Sequence, residues 1–277
     1  MKEILEITFK ISVLTFVIGS MISMGLSLTI KQIIDPLKNK RLVVMALVAN
    51  FVLVPLLVYV INLFIPLTEG GKIGLILLSI AGGAPFLPKL ADMAKSNVAF
   101  AIGLMLLLMV VTIFYLPIML PLLLKGASVS SWDIAKSLII LMLIPLVLAL
   151  IFRAYAEKPA TRLQPIFAQL TNLALLLLTV SLVILNTKNL LAMIGLPVIA
   201  ILLFLIVAMV IGYLLGGPGR DTKVVLALGT GQRNISAAIL VATQNFEDPD
   251  VTLMLVAVAI FGLFIMLPYA KKVGKSA

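Results

Sequence analysis

The run Gly229-Thr230-Gly231-Gln232-Arg233-Asn234 places a cation and several hydrogen-bonding groups between two apolar stretches, 224–228 and 237–242. An arginine stays protonated at any physiological pH. Holding it in mid-bilayer costs roughly 2.5–3.5 kcal/mol on insertion scales. A guanidinium kept there must therefore have partners. Its planar donors can bond carbonyls opened by a helix break, or grip a carboxylate through two parallel bonds. A second unusual segment runs from Ile80 to Asp92. It holds Gly82, Gly83, Pro85 and Pro88, then Lys89 and Asp92. Two glycines and two prolines so close together interrupt a helix. Lys89 is a second candidate cation for an anion. Asp92, three residues on, either pairs with Lys89 or Lys95, or titrates and carries a proton.

Both segments must be positioned by membrane helices. Of the 277 residues, 62% are hydrophobic and only 12% charged, too little polar surface for a soluble chain of this length. Nine spans can be drawn, at roughly 10–31, 41–64, 70–93, 97–124, 132–155, 163–187, 190–215, 222–244 and 251–270. Apolar runs of this length exclude an outer-membrane barrel. Turn signals separate them: Asp35-Pro36, Lys125-Gly126, Glu157-Lys158-Pro159, Gly216-Gly217-Pro218-Gly219 and Glu247-Asp248-Pro249-Asp250. The fold class is thus all-α and polytopic.

Cysteine and histidine are both absent. That removes disulfides, zinc sites, haem ligation by histidine and the Ser-His and Cys-His catalytic pairs, so no enzyme, metal or cofactor is expected. No phosphate-binding loop of the P-loop type is present, which argues against ATP-driven work. The net charge of +10 is better explained by topology than by nucleic acid. With the N-terminus outside, fourteen of the 21 Lys and Arg fall in inner segments and six in outer ones, Arg233 being the remainder. The acidic loop 247–250 falls outside. The expected setting is a cell inner (plasma) membrane, multi-pass, N-terminus out and C-terminus cytoplasmic, with no cleavable leader.

The two interrupted spans lie five apart, an odd number, so repeats of that size would be inverted. Inverted repeats with paired broken helices are the pattern of secondary transporters that bind substrate where the breaks cross.

Four segments resemble the bile acid:sodium symporter family. Ser23-Met24-Gly25-Leu26-Ser27-Leu28 is similar to its MGL-x-L signature, and Ala49 to Pro55 to its x-Q-F-x-x-M-P motif. Gly82-Gly83 through Asn97-Val98-Ala99 resembles its first crossover, G-G-T-A-S-N with a later G-[DN]-V-A. Gly229 to Asn234 resembles its second, E-V-G-M-Q-N. The resemblance implies a core domain with two crossing broken helices, about 41–124 and 190–270, and a panel domain, about 10–31 and 132–187, that moves against it.

It also implies where sodium would bind, and there this chain departs. Positions matching the first sodium site are Leu87, Pro88, Ala101, Met105 and Gly229, none with a side-chain oxygen. Positions matching the second are Asn50, Gly229, the backbone of Thr230 and Gln232, and Arg233. The shared carboxylate is missing and a cation stands at a ligand position. The resemblance thus implies a divergent, nine-helix, sodium-independent member, with Arg233 and Lys89 roughly where the family keeps two sodium ions. The expected ligand is a small organic anion, carried by alternating access. Expected site residues are Arg233, Asn234, Gln232, Thr230, Lys89, Asp92, Asn50 and Pro88. A membrane ligand sensor that keeps the fold without transporting is the alternative. The oligomeric state is left open.

Overall fold

The computed structural model describes residues 2–29, 31, 38–124, 130–192 and 194–276; the turn signals Asp35-Pro36 and Lys125-Gly126 lie outside them. The secondary structure of the described residues is all helical, with no strand. In chain order the helices are α1 (Lys2–Ser27), α2 (Lys40–Phe64), α3 (Glu69–Ile80), α4 (Leu87–Met93), α5 (Val98–Leu123), α6 (Ser131–Tyr155), α7 (Glu157–Leu185), α8 (Thr187–Ala192), α9 (Leu196–Leu215), α10 (Arg220–Gly231), α11 (Ile235–Asn245) and α12 (Pro249–Lys275). Eight stretches are long and apolar enough to cross a membrane, α10 and α11 counting together as one. The ninth segment is the α3–α4 pair, which the break at 81–86 divides into two pieces too short to qualify singly. The protein is a polytopic, multi-pass membrane protein with two interrupted spans.

Two boundaries differ from the sequence reading. Glu157-Lys158-Pro159 is not a turn between spans but the first turn of α7, and Ala156 alone separates α6 from α7. A proline is tolerated in a first helical turn, where the N–H it lacks would have no partner anyway. Arg153 staples this corner, donating to the Glu157 carbonyl at 3.1 Å and to its carboxylate at 3.0 Å. The chain before residue 196 is likewise not one span from 190. The short α8 ends there, and Gly195, at φ 112°, turns into α9.

α2 and α6 each widen into a π turn, Ala49–Leu53 and Ile139–Leu143, just ahead of Pro55 and Pro145. A proline in a helix has no N–H for the carbonyls behind it. In α2 these are Asn50 and Phe51. The Phe51 carbonyl accepts the Tyr115 hydroxyl from α5, and the Asn50 carbonyl faces the interrupted helices. α1 packs chiefly on α7 and α6, α9 on α10, and α3 on α12. The interior around the breaks is fully apolar apart from a small set of buried polar side chains, among them Asn50, Ser79, Thr112, Thr230, Arg233 and Asn234.

Candidate functional site: the crossing of two broken helices

The two breaks touch directly. The backbone N–H of Asn234 donates to the Ala81 carbonyl at 2.9 Å. Each break is also tied locally, although Asn234 Nδ2 is buried without a partner. Thr112 of α5 accepts from the Gly82 N–H at 2.8 Å and donates to the Gly82 carbonyl at 3.1 Å. Asn234 caps α11 by accepting from the Ala237 N–H at 3.1 Å. Gly83 has φ 81°, and a Cβ there would lie 2.2 Å from the backbone nitrogen of Met109. Only glycine allows this turn to press so closely on α5.

Arg233 is 3% exposed and sits at the crossing. Its Nε donates to the Leu78 carbonyl at 2.8 Å. Nη1 donates to Asn50 Oδ1 at 2.7 Å and to the Thr230 carbonyl at 3.1 Å. Nη2 donates to the Ser79 carbonyl at 2.8 Å and to the Asn50 carbonyl at 3.4 Å. A guanidinium has five N–H groups, so each has an oxygen partner and none is left for a ligand. The acceptors are not accidental. Leu78 and Ser79 are in the last turn of α3 and Thr230 is in the last turn of α10, where helix carbonyls lack the regular i+4 donors; Leu78 also accepts from the Ala81 N–H at 3.1 Å. Asn50 lies in the π turn opened by Pro55. Two helix C-termini add negative partial charge, which favours a cation. No carboxylate takes part in this shell.

Asn50, fully buried, also donates through Nδ2 to the Ala46 carbonyl at 3.0 Å and to Thr230 Oγ1 at 3.3 Å. Asn50 and Thr230 are therefore linkers within the crossing.

Beside the crossing lies a cavity of about 980 Å³. One wall is α1 and α7, through Ser20, Ser23, Met24, Gln164 and Asn172 among others; the other is α4, α5, α12 and the break between α10 and α11. It is contributed by the second half of α1 and the first halves of α5 and α7, which mark one end of the molecule. Pro88, Lys89, Asp92, Gln232 and Arg233 from the expected set line it; Asn50, Thr230 and Asn234 do not. Lys89 Nζ stands 3.9 Å from Asp92 Oδ2, and these side chains are 63% and 66% exposed. With Arg233 saturated, Lys89 is the only cation on the cavity wall with donors to offer, among the described residues. It does not join Arg233 at the crossing.

Several features were hidden from the sequence. Leu78 and Ser79 act through backbone oxygens, which any residue supplies. Ser23 and Gln164, bonded to each other at 3.2 Å, bring α1 and α7 together at the cavity wall but look like ordinary span residues in isolation.

Residues 14–216 match the model of the sodium bile acid symporter family. The chain belongs to the sodium bile acid symporter family. Two relatives align over 88% of this chain. Both are described as "Probable sodium/metabolite cotransporter BASS3, chloroplastic", from Arabidopsis thaliana at 28% identity and from Oryza sativa subsp. japonica at 25%. The chain spans 59% and 60% of their lengths.

Within this symporter family the residues present here do not fit a sodium ion. Sodium takes oxygen ligands, preferably charged. Leu87, Ala101 and Met105 are buried and apolar, and a Cβ at Gly229 would meet Leu87 Cδ2 at 2.9 Å and Leu104 Cδ2 at 3.1 Å. That region is filled with hydrocarbon. The remaining oxygens of the crossing already hold the guanidinium. No group of three or more acidic residues that could hold a metal occurs among the described residues.

Proposed function

We propose that this chain is a sodium-independent carrier of a small organic anion, working by alternating access, in which Arg233 is a fixed cation of the crossing. The observation that carries the reading is the closed shell of five oxygen bonds around Arg233. A bound cation in such a place would tie two half-helix ends to α2 and neutralise their converging carbonyl dipoles. Arg233 supplies that charge covalently, and so the crossing assembles with no ion to bind or release. The relatives' descriptions speak of sodium/metabolite cotransport; the metabolite part is kept here and the sodium part is not.

The cavity supports the substrate class. It is large, mostly apolar, and has one available cation among the described residues, Lys89, held loosely by Asp92. An anion with an apolar body fits: its charge at Lys89, its body against Met24, Ile102, Met105 and Val258. Pro88 lies in the first turn of α4, where its fixed φ helps set where Lys89 stands. The packing of α1 with α6 and α7 suits a panel, and the interrupted helices with α2, α5, α9 and α12 suit a core. By the charge bias of the loops, the end at which the cavity lies is the cytoplasmic one, and the conformation would be inward-facing.

A carrier coupled to a bound ion must be barred from changing conformation when that ion is absent. A permanently charged crossing carries no such bar. Uniport or exchange follows, unless a proton on Asp92 supplies the coupling. The test is counterflow of labelled carboxylates in proteoliposomes, in sodium and with choline in its place. Equal flux in both is the expected result. Flux that requires sodium overturns the reading, and binding without flux turns it to a ligand sensor.

A further inference from the structure

Gln232 stands between the end of α10 and Arg233, and it lines the cavity. Its backbone N–H is engaged, donating to the Leu228 carbonyl at 2.9 Å. Its side chain is not. Oε1 is sealed from solvent and has no hydrogen-bond partner, and the amide nitrogen bonds nothing among the described residues. Native interiors leave few polar atoms in this condition, because each loses its water without replacement. Thr230, two residues before it, and Arg233, just after it, both bond through their side chains, while Asn234 accepts through Oδ1 and leaves only Nδ2 unpartnered.

The opposite wall repeats the pattern. On α7, Asn172 is exposed to the cavity and makes no hydrogen bond among the described residues. Its polar neighbours are taken: Gln164 donates to Ser23 at 3.2 Å, Thr171 to the Phe167 carbonyl at 2.7 Å, and Ser27 to the Met24 carbonyl at 2.8 Å. Two unengaged primary amides therefore line the cavity, one from each wall. The terminal torsion of glutamine is soft and roughly two-fold. A half turn presents either the oxygen or the NH2 to the cavity, so the group can accept from a hydroxyl or amide N–H, or donate to a carbonyl.

We propose that Gln232 is a specificity residue that hydrogen-bonds a hydroxyl or amide group of the carried anion, so that the substrate is a carboxylate bearing a second hydrogen-bonding group away from its charge. The proposal rests on the carrier reading above and adds to it a requirement on substrate chemistry. A purely apolar pocket discriminates one methylene by only about 10–200-fold. A buried amide that gains its partner only from the ligand rejects an analogue lacking that partner far more strongly. Asn172 would meet the same substrate from the moving wall.

The experiment is counterflow in sodium-free proteoliposomes with two matched pairs: N-acetylphenylalanine against 2-benzyl-4-methylpentanoate, and 10-hydroxydecanoate against decanoate. The variant is Gln232→Met, which restores the residue of the family's E-V-G-M-Q-N motif and removes no hydrogen bond. Wild type should prefer the amide- or hydroxyl-bearing member of at least one pair by about tenfold or more in kcat/KM. The variant should bring that ratio to within about twofold, chiefly by lowering kcat/KM for the amide- or hydroxyl-bearing member. An unchanged ratio in the variant overturns the role of Gln232, as does equal transport of both members by wild type. A parallel loss of both fluxes shows a structural role instead and also overturns it. If wild type carries none of the four, the carrier reading itself fails and the proposal falls with it.

Discussion

Asn50 and Arg233 hold each other across 183 residues of chain: Nη1 of the arginine donates to the amide oxygen at 2.7 Å, and Nη2 reaches the same residue's backbone carbonyl at 3.4 Å. The amide nitrogen then ties back to Ala46 and Thr230. One side chain thus joins the buried cation, the π turn and the end of α10. Asn50→Leu removes one charge-assisted bond and two neutral ones, and is expected to cost about 2–3 kcal/mol. That lowers the Tm of purified protein by roughly 4–12 °C. Asn50→Asp keeps the acceptor and adds a counter-charge, and should hold the Tm near wild type. Equal losses for both substitutions would show that the amide oxygen matters little.

On the fixed-cation proposal, Arg233→Gln should make the protein's stability sensitive to sodium. Wild-type Tm is expected to be the same in sodium and in choline. The variant should fall in choline and recover in part as sodium rises, by about 1.4 kcal/mol at ten times its dissociation constant. The recovery would come from an ion among the carbonyls of Asn50, Leu78, Ser79 and Thr230. A wild-type Tm that climbs with sodium contradicts the fixed-cation reading.

Gly83→Ala meets two obstacles. Its φ of 81° disfavours any side chain, and the added carbon would fall 2.2 Å from Met109 N and 2.6 Å from the Met105 carbonyl. α5 must move for it to fit. We expect a loss of about 2 kcal/mol or more, read as Tm. Gly195→Ala, with φ 112° but open space around it, should cost less.

Lys89 and Asp92 separate affinity from stability. Their exposed pair contributes at most about 1 kcal/mol, so Lys89→Gln should leave Tm within about 4 °C. The same substitution should raise the KM for carboxylate counterflow about tenfold or more. Asp92→Asn removes the competing carboxylate and should lower that KM. If Asp92 also carries a proton, this variant keeps counterflow but loses uptake driven by a pH gradient. Unchanged gradient-driven uptake would exclude proton coupling at Asp92.

Glycines in both segments, joined by prolines in the first and by polar residues in the second, made the breaks legible in the sequence, because glycine loosens a helix and proline removes one of its donors. Arg233 announced itself as a charge in an apolar run. Its partners could not be read, since four of the five acceptors are backbone carbonyls and sequence does not label them. The π turn at Ala49–Leu53 was equally silent: Pro55 foretells a disturbed helix but not which carbonyls it frees. At Glu157-Lys158-Pro159 local turn chemistry pointed one way and helix-start tolerance the other, and the latter won. Gln232 was visible as a crossover residue, but its unpartnered amide appears only once its neighbours are in place.

The shell around Arg233 also sets an order of assembly. The carbonyl of Leu78 is made 155 residues before the arginine that receives it. At roughly 5–20 residues per second of synthesis, α3 waits about 8–30 s with the oxygens of Leu78, Ser79 and Ala81 lacking their final partners. Lipid offers no donors to replace them. The newborn N-terminal half is thus a ligand site for its own C-terminal half, and chains truncated before Arg233 should be degraded faster than the full chain in a pulse-chase experiment.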